Sequence, residues 1–170
     1  MSVSAASPRF SPGSAADLAS RSLLWWAVAA WLGSWLCFAG AIAPHVFRVL
    51  PSPELAGKVV GPALATLHWG GALAGVVLAG LAWLLRRGRL LVWLPLALAA
   101  ACVASELGVT PQLSALRDAA FGPEARVDAV ARYRQLHGLS MGIFSAVLLG
   151  VAALVPLHVR RESPQAADSA

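Results

Sequence analysis

Four ionisable side chains lie inside or at the ends of long apolar runs, and their chemical types favour the binding of protons or metal ions. They are His45, His68, Glu106 and His137. Imidazole titrates near neutral pH, and imidazole and carboxylate groups are both common metal ligands. Placing such groups in a bilayer costs free energy, so they usually face the interior of a helical bundle and often mark a site. We therefore expect these four side chains to approach one another from one side of the membrane.

The two histidines inside the apolar runs share a local pattern. His68 and His137 each follow a leucine and precede glycines and small or apolar residues. Two opposed imidazoles with glycines beside them could ligate a haem axially. This interpretation makes His68 and His137 candidate cofactor-binding residues of a b-type haem protein.

The same residues also allow interpretations without haem. His45, His68, Glu106 and His137 together could bind copper or zinc, with the two cysteines of the chain, both inside apolar runs, helping to pass the metal. A pair formed by Glu106 and a histidine could relay a proton. Such a pair could also be purely structural. His68 could be a neutral imidazole bonded to a neighbouring helix, and His137 could be the first solvated residue of the fourth helix.

The composition requires a membrane for most of the chain. Of the 170 residues 58% are apolar and 12% charged, and the mean hydropathy is +0.70. The apolar runs are close to the length that crosses a bilayer. The net charge of +5 comes from basic residues at the ends of these runs. We therefore expect contacts with lipid headgroups and no nucleic-acid partner.

The chain is predicted to be an all-α, polytopic four-helix transmembrane bundle occupying residues 22–161. Residues 1–21 and 162–170 are predicted to be disordered tails, and the polar segment Thr110–Ala131 to be a largely soluble connector. Gly122-Pro123-Glu124 resembles a helix start within that connector, with proline at the first helical position. The predicted helices cover about residues 22–47, 59–85, 90–109 and 123–160.

Further features concern the arrangement of the helices and their placement in the membrane. Pro44 ends the first helix and Pro111 follows the third, so the halves look like tandem hairpins related by a pseudo-twofold axis along the membrane normal. Gly71 and Gly75 form a small-residue face that could mediate a homo-oligomer. Dense basic residues at the termini and after the second helix predict cytoplasmic termini. The Arg- and Ala-rich composition predicts a bacterial inner-membrane protein.

Short motifs spread over residues 23–159 carry a family resemblance. They are the run Gly33–Phe47, Ala56-Gly57, His68, Thr110-Pro111 and Leu136-His137. On these the chain resembles bacterial four-helix membrane proteins of unknown function (the domain-of-unknown-function 4149 type), related to eukaryotic transmembrane protein 205. The resemblance implies an integral membrane protein without an established activity. A looser similarity is to CopD copper-resistance and HemJ-like haem-pathway membrane proteins.

The functional prediction follows from the four ionisable residues. We expect a membrane protein that binds or passes a metal ion or small cation through His68, Glu106 and His137, with His45 at the mouth. The alternatives are the b-type haem protein and a structural or assembly subunit of a membrane complex. The sequence has no nucleotide-binding or hydrolase motif, which favours a non-enzymatic role.

Overall fold

The computed structural model describes residues 13–162, and this part of the chain is helical with no strand. Two π-helical turns, Phe38–Ile42 and Ser105–Val109, interrupt the α-helices. The α-helices are α1 Ala15–Cys37, α2 Ala43–Val49, α3 Pro53–Leu84, α4 Arg89–Ala104, α5 Thr110–Phe121 and α6 Val127–Glu162.

These elements join into helices long and apolar enough to cross a membrane. In residues 13–162 there are four of them, with mean hydropathies of 1.6 to 2.2 over their most apolar stretches. We call them the first to fourth spans: Ala15–Val49, Pro53–Leu84, Arg89–Phe121 and Val127–Glu162. The predicted fold class, an all-α four-helix membrane bundle, is confirmed.

Each span packs on the next one in sequence, and the fourth packs back on the first. The second and fourth spans, formed by α3 and α6, lie diagonally opposite, and no Cα atom of one comes within 8 Å of a Cα atom of the other. Large side chains of α1 point into the centre at helical spacing, as the burial of Leu24, Val28, Trp31 and Trp35 shows. Because lipid tails are as apolar as these side chains, close packing rather than water exclusion holds the bundle together.

The first two spans begin earlier than the sequence predicts. Span one starts at Ala15, inside the predicted disordered tail, because the Ser14 hydroxyl accepts the backbone N–H of Asp17 at 3.2 Å and caps the helix. Span two starts at Pro53 rather than near residue 59, since Ser52 caps it in the same way. The remaining parts of the predicted tails, 1–12 and 163–170, lie outside the described residues.

The predicted soluble connector is instead mostly a continuation of the third span. α5 extends to Phe121, where the backbone N–H of Gly122 bonds to the carbonyl oxygen of Asp118. Gly122 is extended because the residue before a proline disfavours the α conformation. Gly122-Pro123 therefore ends a helix rather than starting one, and α6 begins at Val127.

The two π turns share one local cause. Pro44 and Pro111 have no backbone N–H, and a proline ring clashes with the carbonyl four residues before it. Just ahead of each proline the ladder shifts register: Ala43 N–H bonds to the Phe38 carbonyl, and Thr110 N–H to the Ser105 carbonyl, five residues back. The two halves of the chain thus share the order α-helix, π turn, proline-containing α-helix. This shared order supports the predicted repeat.

Gly71 and Gly75 are buried within the chain and do not form a free face. A Cβ atom on Gly71 would lie 2.9 Å from Trp31 Nε1 and 3.1 Å from Cys102 Sγ. A Cβ atom on Gly75 would lie 2.5 Å from the carbonyl oxygen of Pro95. These glycines let the first and third spans approach the second, and a homo-oligomer contact through them stays a prediction.

Candidate functional site

A histidine and a glutamate meet inside the bundle. His68 on α3 has Nδ1 3.0 Å from Oε2 of Glu106, which lies in the π turn Ser105–Val109. The His68 side chain is 0% exposed and that of Glu106 is 13% exposed. A carboxylate this far from water needs a proton or a cationic partner, and the imidazole is placed to supply either.

A hydroxyl completes the coordination of the carboxylate. Thr110 Oγ1 donates to Oε2 of Glu106 at 3.2 Å, from one helical turn further along the third span. Oε2 therefore accepts from Thr110 and faces the imidazole of His68 at once. The π turn and α5 both pack against α3, which brings Glu106 and Thr110 to the helix that carries His68.

Aromatic rings cover the other side of the imidazole. The Trp35 ring meets His68 edge-on, with ring centroids 5.9 Å apart and the planes at 61°. Trp35 also stacks on Phe144 of α6 with a centroid distance of 4.4 Å. Nε2 of His68 is buried and has no hydrogen-bond partner among residues 13–162. The pair therefore has one polar side, toward Thr110, and one apolar side.

A cavity of about 670 Å³ lies next to the pair. Phe144 belongs to its wall, whereas His68 and Glu106 do not. The lining is mainly apolar and carries two cationic side chains, Lys58 and Arg117. Its other polar members are Thr110, Ser114, Tyr133, His137 and Ser140.

The structure brings together two of the four predicted site residues. His137 lines the cavity and stacks on Tyr133, with centroids 6.1 Å apart and planes at 13°. His45 is exposed on α2 and does not line the cavity. No group of three or more His, Cys, Asp and Glu within residues 13–162 could hold a metal ion. The predicted four-residue metal site is therefore not assembled, because its members lie on helices that do not bring them together.

Haem ligation by His68 and His137 stays a prediction. The two residues lie on α3 and α6, the diagonal helices, and the Trp35 ring of α1 contacts both His68 and Phe144 of α6. Nδ1 of His68 is committed to Glu106, and Nε2 faces no part of the cavity. The two cysteines are free, with Cys37 exposed and Cys102 buried.

A second polar cluster, which the sequence analysis missed, lies at the opposite end of the bundle. Arg87 at the end of the second span forms an ion pair with Glu162 at the end of α6. Glu162 also accepts the indole N–H of Trp25, at 3.1 and 3.2 Å to its two oxygens. His158 is fully buried and meets the Trp25 ring edge-on. The sequence signal was the spacing of His158 and Glu162 by one helical turn.

Part of the chain matches a protein family. The family model described as a domain of unknown function, DUF4149, matches residues 26–121, which is more than half of the chain. The chain belongs to the DUF4149 family. It matches no curated protein and no solved structure.

The DUF4149 segment contains the complete polar pair. It includes His68, Glu106 and Thr110, together with the cavity cations Lys58 and Arg117. It ends at residue 121, before α6, and so leaves out the wall of the cavity that the fourth span contributes. Chemically, the pair can hold and release a proton, and the cavity can hold a mainly apolar molecule with a negative group.

Proposed function

We propose that this multi-pass membrane protein binds a small cation, the proton, at the pair formed by His68 and Glu106. The observation that supports the proposal is the 3.0 Å contact between Nδ1 and Oε2, two titratable atoms enclosed by the bundle. The sequence predicts a site for a metal ion or a small cation. Of these, the proton is the cation that two facing atoms can bind without further ligands.

The chemistry of the pair follows from its surroundings. With one shared proton the pair is neutral overall, whether it is written as imidazolium and carboxylate or as imidazole and carboxylic acid. Loss of that proton leaves a net negative charge in an apolar environment, which is costly unless another cation replaces it. The two protonation states therefore differ by a full charge next to the Trp35 ring.

Proton exchange is proposed to occur from one side only. Glu106 is the partly exposed member, and Thr110 leads from it toward the end of the third span. In the other direction, His68 lies 16 residues before Leu84, the last residue of the second span, about 24 Å at 1.5 Å per residue. The side chains buried between His68 and Leu84 are apolar, including Leu78 and Leu81. Reversible proton uptake therefore fits better than conduction across the membrane.

The setting is also part of the proposal. We place the protein in a bacterial inner membrane with both termini cytoplasmic, which puts the pair near the non-cytoplasmic face. The dense basic residues around Arg87 and the Arg-rich composition support this orientation and source. The motifs that resemble the transmembrane protein 205 group include His68. We therefore propose that proteins of that group have the same proton site.

The test is nuclear magnetic resonance of ¹⁵N-labelled histidine in the full chain in lipid nanodiscs, followed from acidic to alkaline pH. We expect the His68 signal, assigned with His68→Gln, to show the proton shared with Glu106 and to change in Glu106→Gln. The matched control His137→Gln should leave the His68 signal unchanged. A His68 signal that is insensitive to both pH and Glu106→Gln rules out the proposal.

The competing hypotheses are tested on the same preparation. Metal analysis and a visible absorption spectrum are recorded for the unmodified protein and for His68→Gln. If the protein carries about one metal ion per chain and His68→Gln loses it, the site binds a metal ion rather than a proton. If a Soret band is present and is lost in the variant, the site binds haem.

A further inference from the structure

The cavity beside the pair has an apolar interior and a basic mouth. Phe38, Leu64 and Phe144 line its interior, while Lys58 and Arg117 lie near the ends of α3 and α5. Among the described residues that line it there is no carboxylate. A molecule complementary to this cavity is apolar over most of its length and negatively charged at one end.

Arg117 is the cation that is available for a ligand. It forms no ion pair within residues 13–162, and its buried Nε atom has no hydrogen-bond partner there. Its guanidinium lies over two glycines of α3: a Cβ atom on Gly61 would be 3.6 Å from Nη2, and one on Gly57 3.7 Å from Nε. The guanidinium thus packs on this face of α3, and its fork of N–H donors matches a carboxylate or phosphate.

Lys58 is already paired. Its ammonium group bonds to Glu54 at 2.6 Å, on the same helix one turn earlier. The glutamate offsets the charge of the lysine, so Arg117 is the residue that can contact an anion directly. Tyr133 and His137 stand on the facing wall of the cavity and can donate further hydrogen bonds.

The depth of the cavity suits an extended hydrocarbon chain. Tyr133 and Phe144 line it on α6 and are 11 residues apart, about 16 Å along the helix axis. The volume of about 670 Å³ falls within the range of ligand pockets. The charged mouth lies toward the span ends and the apolar floor toward the bundle centre. A lipid molecule in a bilayer has the same orientation, with its head at the surface and its chain toward the centre.

We infer that the cavity is a binding site for an anionic amphiphile, a single acyl chain with a carboxylate or phosphate head. The head binds the Arg117 guanidinium, and the chain lies against Phe38, Leu64 and Phe144. The inference goes beyond the proton site and does not require it. The two sites are adjacent, because Phe144 forms part of the cavity wall and stacks on Trp35, which in turn meets His68.

The experiment measures the binding of three probes to the full chain in detergent by native mass spectrometry and by photocrosslinking. The probes are palmitic acid, palmitoyl lysophosphatidic acid and the neutral hexadecanol, each with a diazirine on its chain. We expect both anions to bind and to crosslink to peptides of α3, α5 and α6, and hexadecanol to bind at least roughly tenfold more weakly, the effect of losing one charge-assisted contact. The two anions distinguish a carboxylate from a phosphate head.

Variants distinguish specific binding in the cavity from non-specific binding of an apolar probe to the protein surface. Arg117→Gln should weaken anion binding roughly tenfold, whereas the matched control Arg132→Gln, an exposed arginine outside the cavity, should not. Ala65→Phe should reduce binding of all three probes by filling the cavity without changing its charge. Circular dichroism checks that each variant is helical. Glu106→Gln should bind normally, which keeps this result independent of the proton site.

Three outcomes overturn the inference. One is equal binding of the anions and hexadecanol. Another is equal affinity of Arg117→Gln and Arg132→Gln for the anions. The third is crosslinking that captures a second copy of the chain at the cavity in place of the probes.

Discussion

Nδ1 of His68 and Oε2 of Glu106 lie 3.0 Å apart across the contact between α3 and the third span. Two residues that are 38 positions apart in the chain thereby link the second and third spans through a polar contact in an otherwise apolar core. In such surroundings the loss of one partner leaves the other without compensation.

We therefore expect Glu106→Ala to destabilise the protein. The imidazole of His68 loses its hydrogen-bond partner and the hydroxyl of Thr110 loses its acceptor, so the free energy of unfolding should fall by about 1–3 kcal/mol. Glu106→Gln keeps an acceptor oxygen and should cost less. Unfolding is followed by circular dichroism during denaturant titration in detergent. Glu124→Ala, in the exposed loop between α5 and α6, is the control; an equal loss in both alanine variants would contradict the prediction.

Gly75→Ala should be the more damaging of two glycine substitutions on the same helix. Its Cβ would lie 2.5 Å from the Pro95 carbonyl oxygen and 2.7 Å from Ala99 Cβ, neither of which is the end of a flexible side chain. We expect a loss of about 1–3 kcal/mol, the usual cost of overpacking. Gly80→Ala meets nothing within 4 Å and should stabilise α3 by up to about 1 kcal/mol. Unfolding midpoints of equal value for the two variants would show that the second and third spans do not pack closely at Gly75.

Glu162→Gln should destabilise the end of the bundle at which α1 begins and α6 ends. Arg87 is 6% exposed and loses its anionic partner, and Trp25 retains only a neutral acceptor. The unfolding free energy should fall by about 1–3 kcal/mol, as expected for a hydrogen bond to a charged group. Asp128→Asn is the matched control, since its pair with Arg126 is exposed and should contribute nothing measurable. The measurement is the denaturant midpoint, and no difference between the two variants would argue against a stabilising pair.

The two cysteines should react at different rates with N-ethylmaleimide. Cys37 is exposed on the first span, whereas Cys102 is buried against Gly71 and Trp31. Mass spectrometry of the detergent-solubilised protein should therefore detect one rapid adduct, at Cys37. After denaturation both should be modified. Rapid modification of Cys102 in the folded protein would show that the contact between the second and third spans opens readily.

The sequence by itself determined the class of protein and the number of spans. Long apolar runs must form helices in a bilayer, because every backbone N–H and C=O has to be satisfied within its own segment. The positions of Pro44 and Pro111 also indicated that the two halves share a feature at the end of their first helix, since proline disturbs a helix through local geometry alone. Span ends were less well determined: the Ser14 and Ser52 caps moved them outward by several residues.

Only the tertiary structure decided which polar residues meet. His68 and His137 share a sequence pattern, yet they lie on diagonal helices, and Glu106 rather than His137 is the partner of His68. Gly71 likewise turned out to face Trp31 and Cys102 of its own chain. Helical periodicity tells which residues share a face, but the neighbour of that face depends on how four similar apolar helices pack. That choice is made by side-chain shapes across the whole bundle.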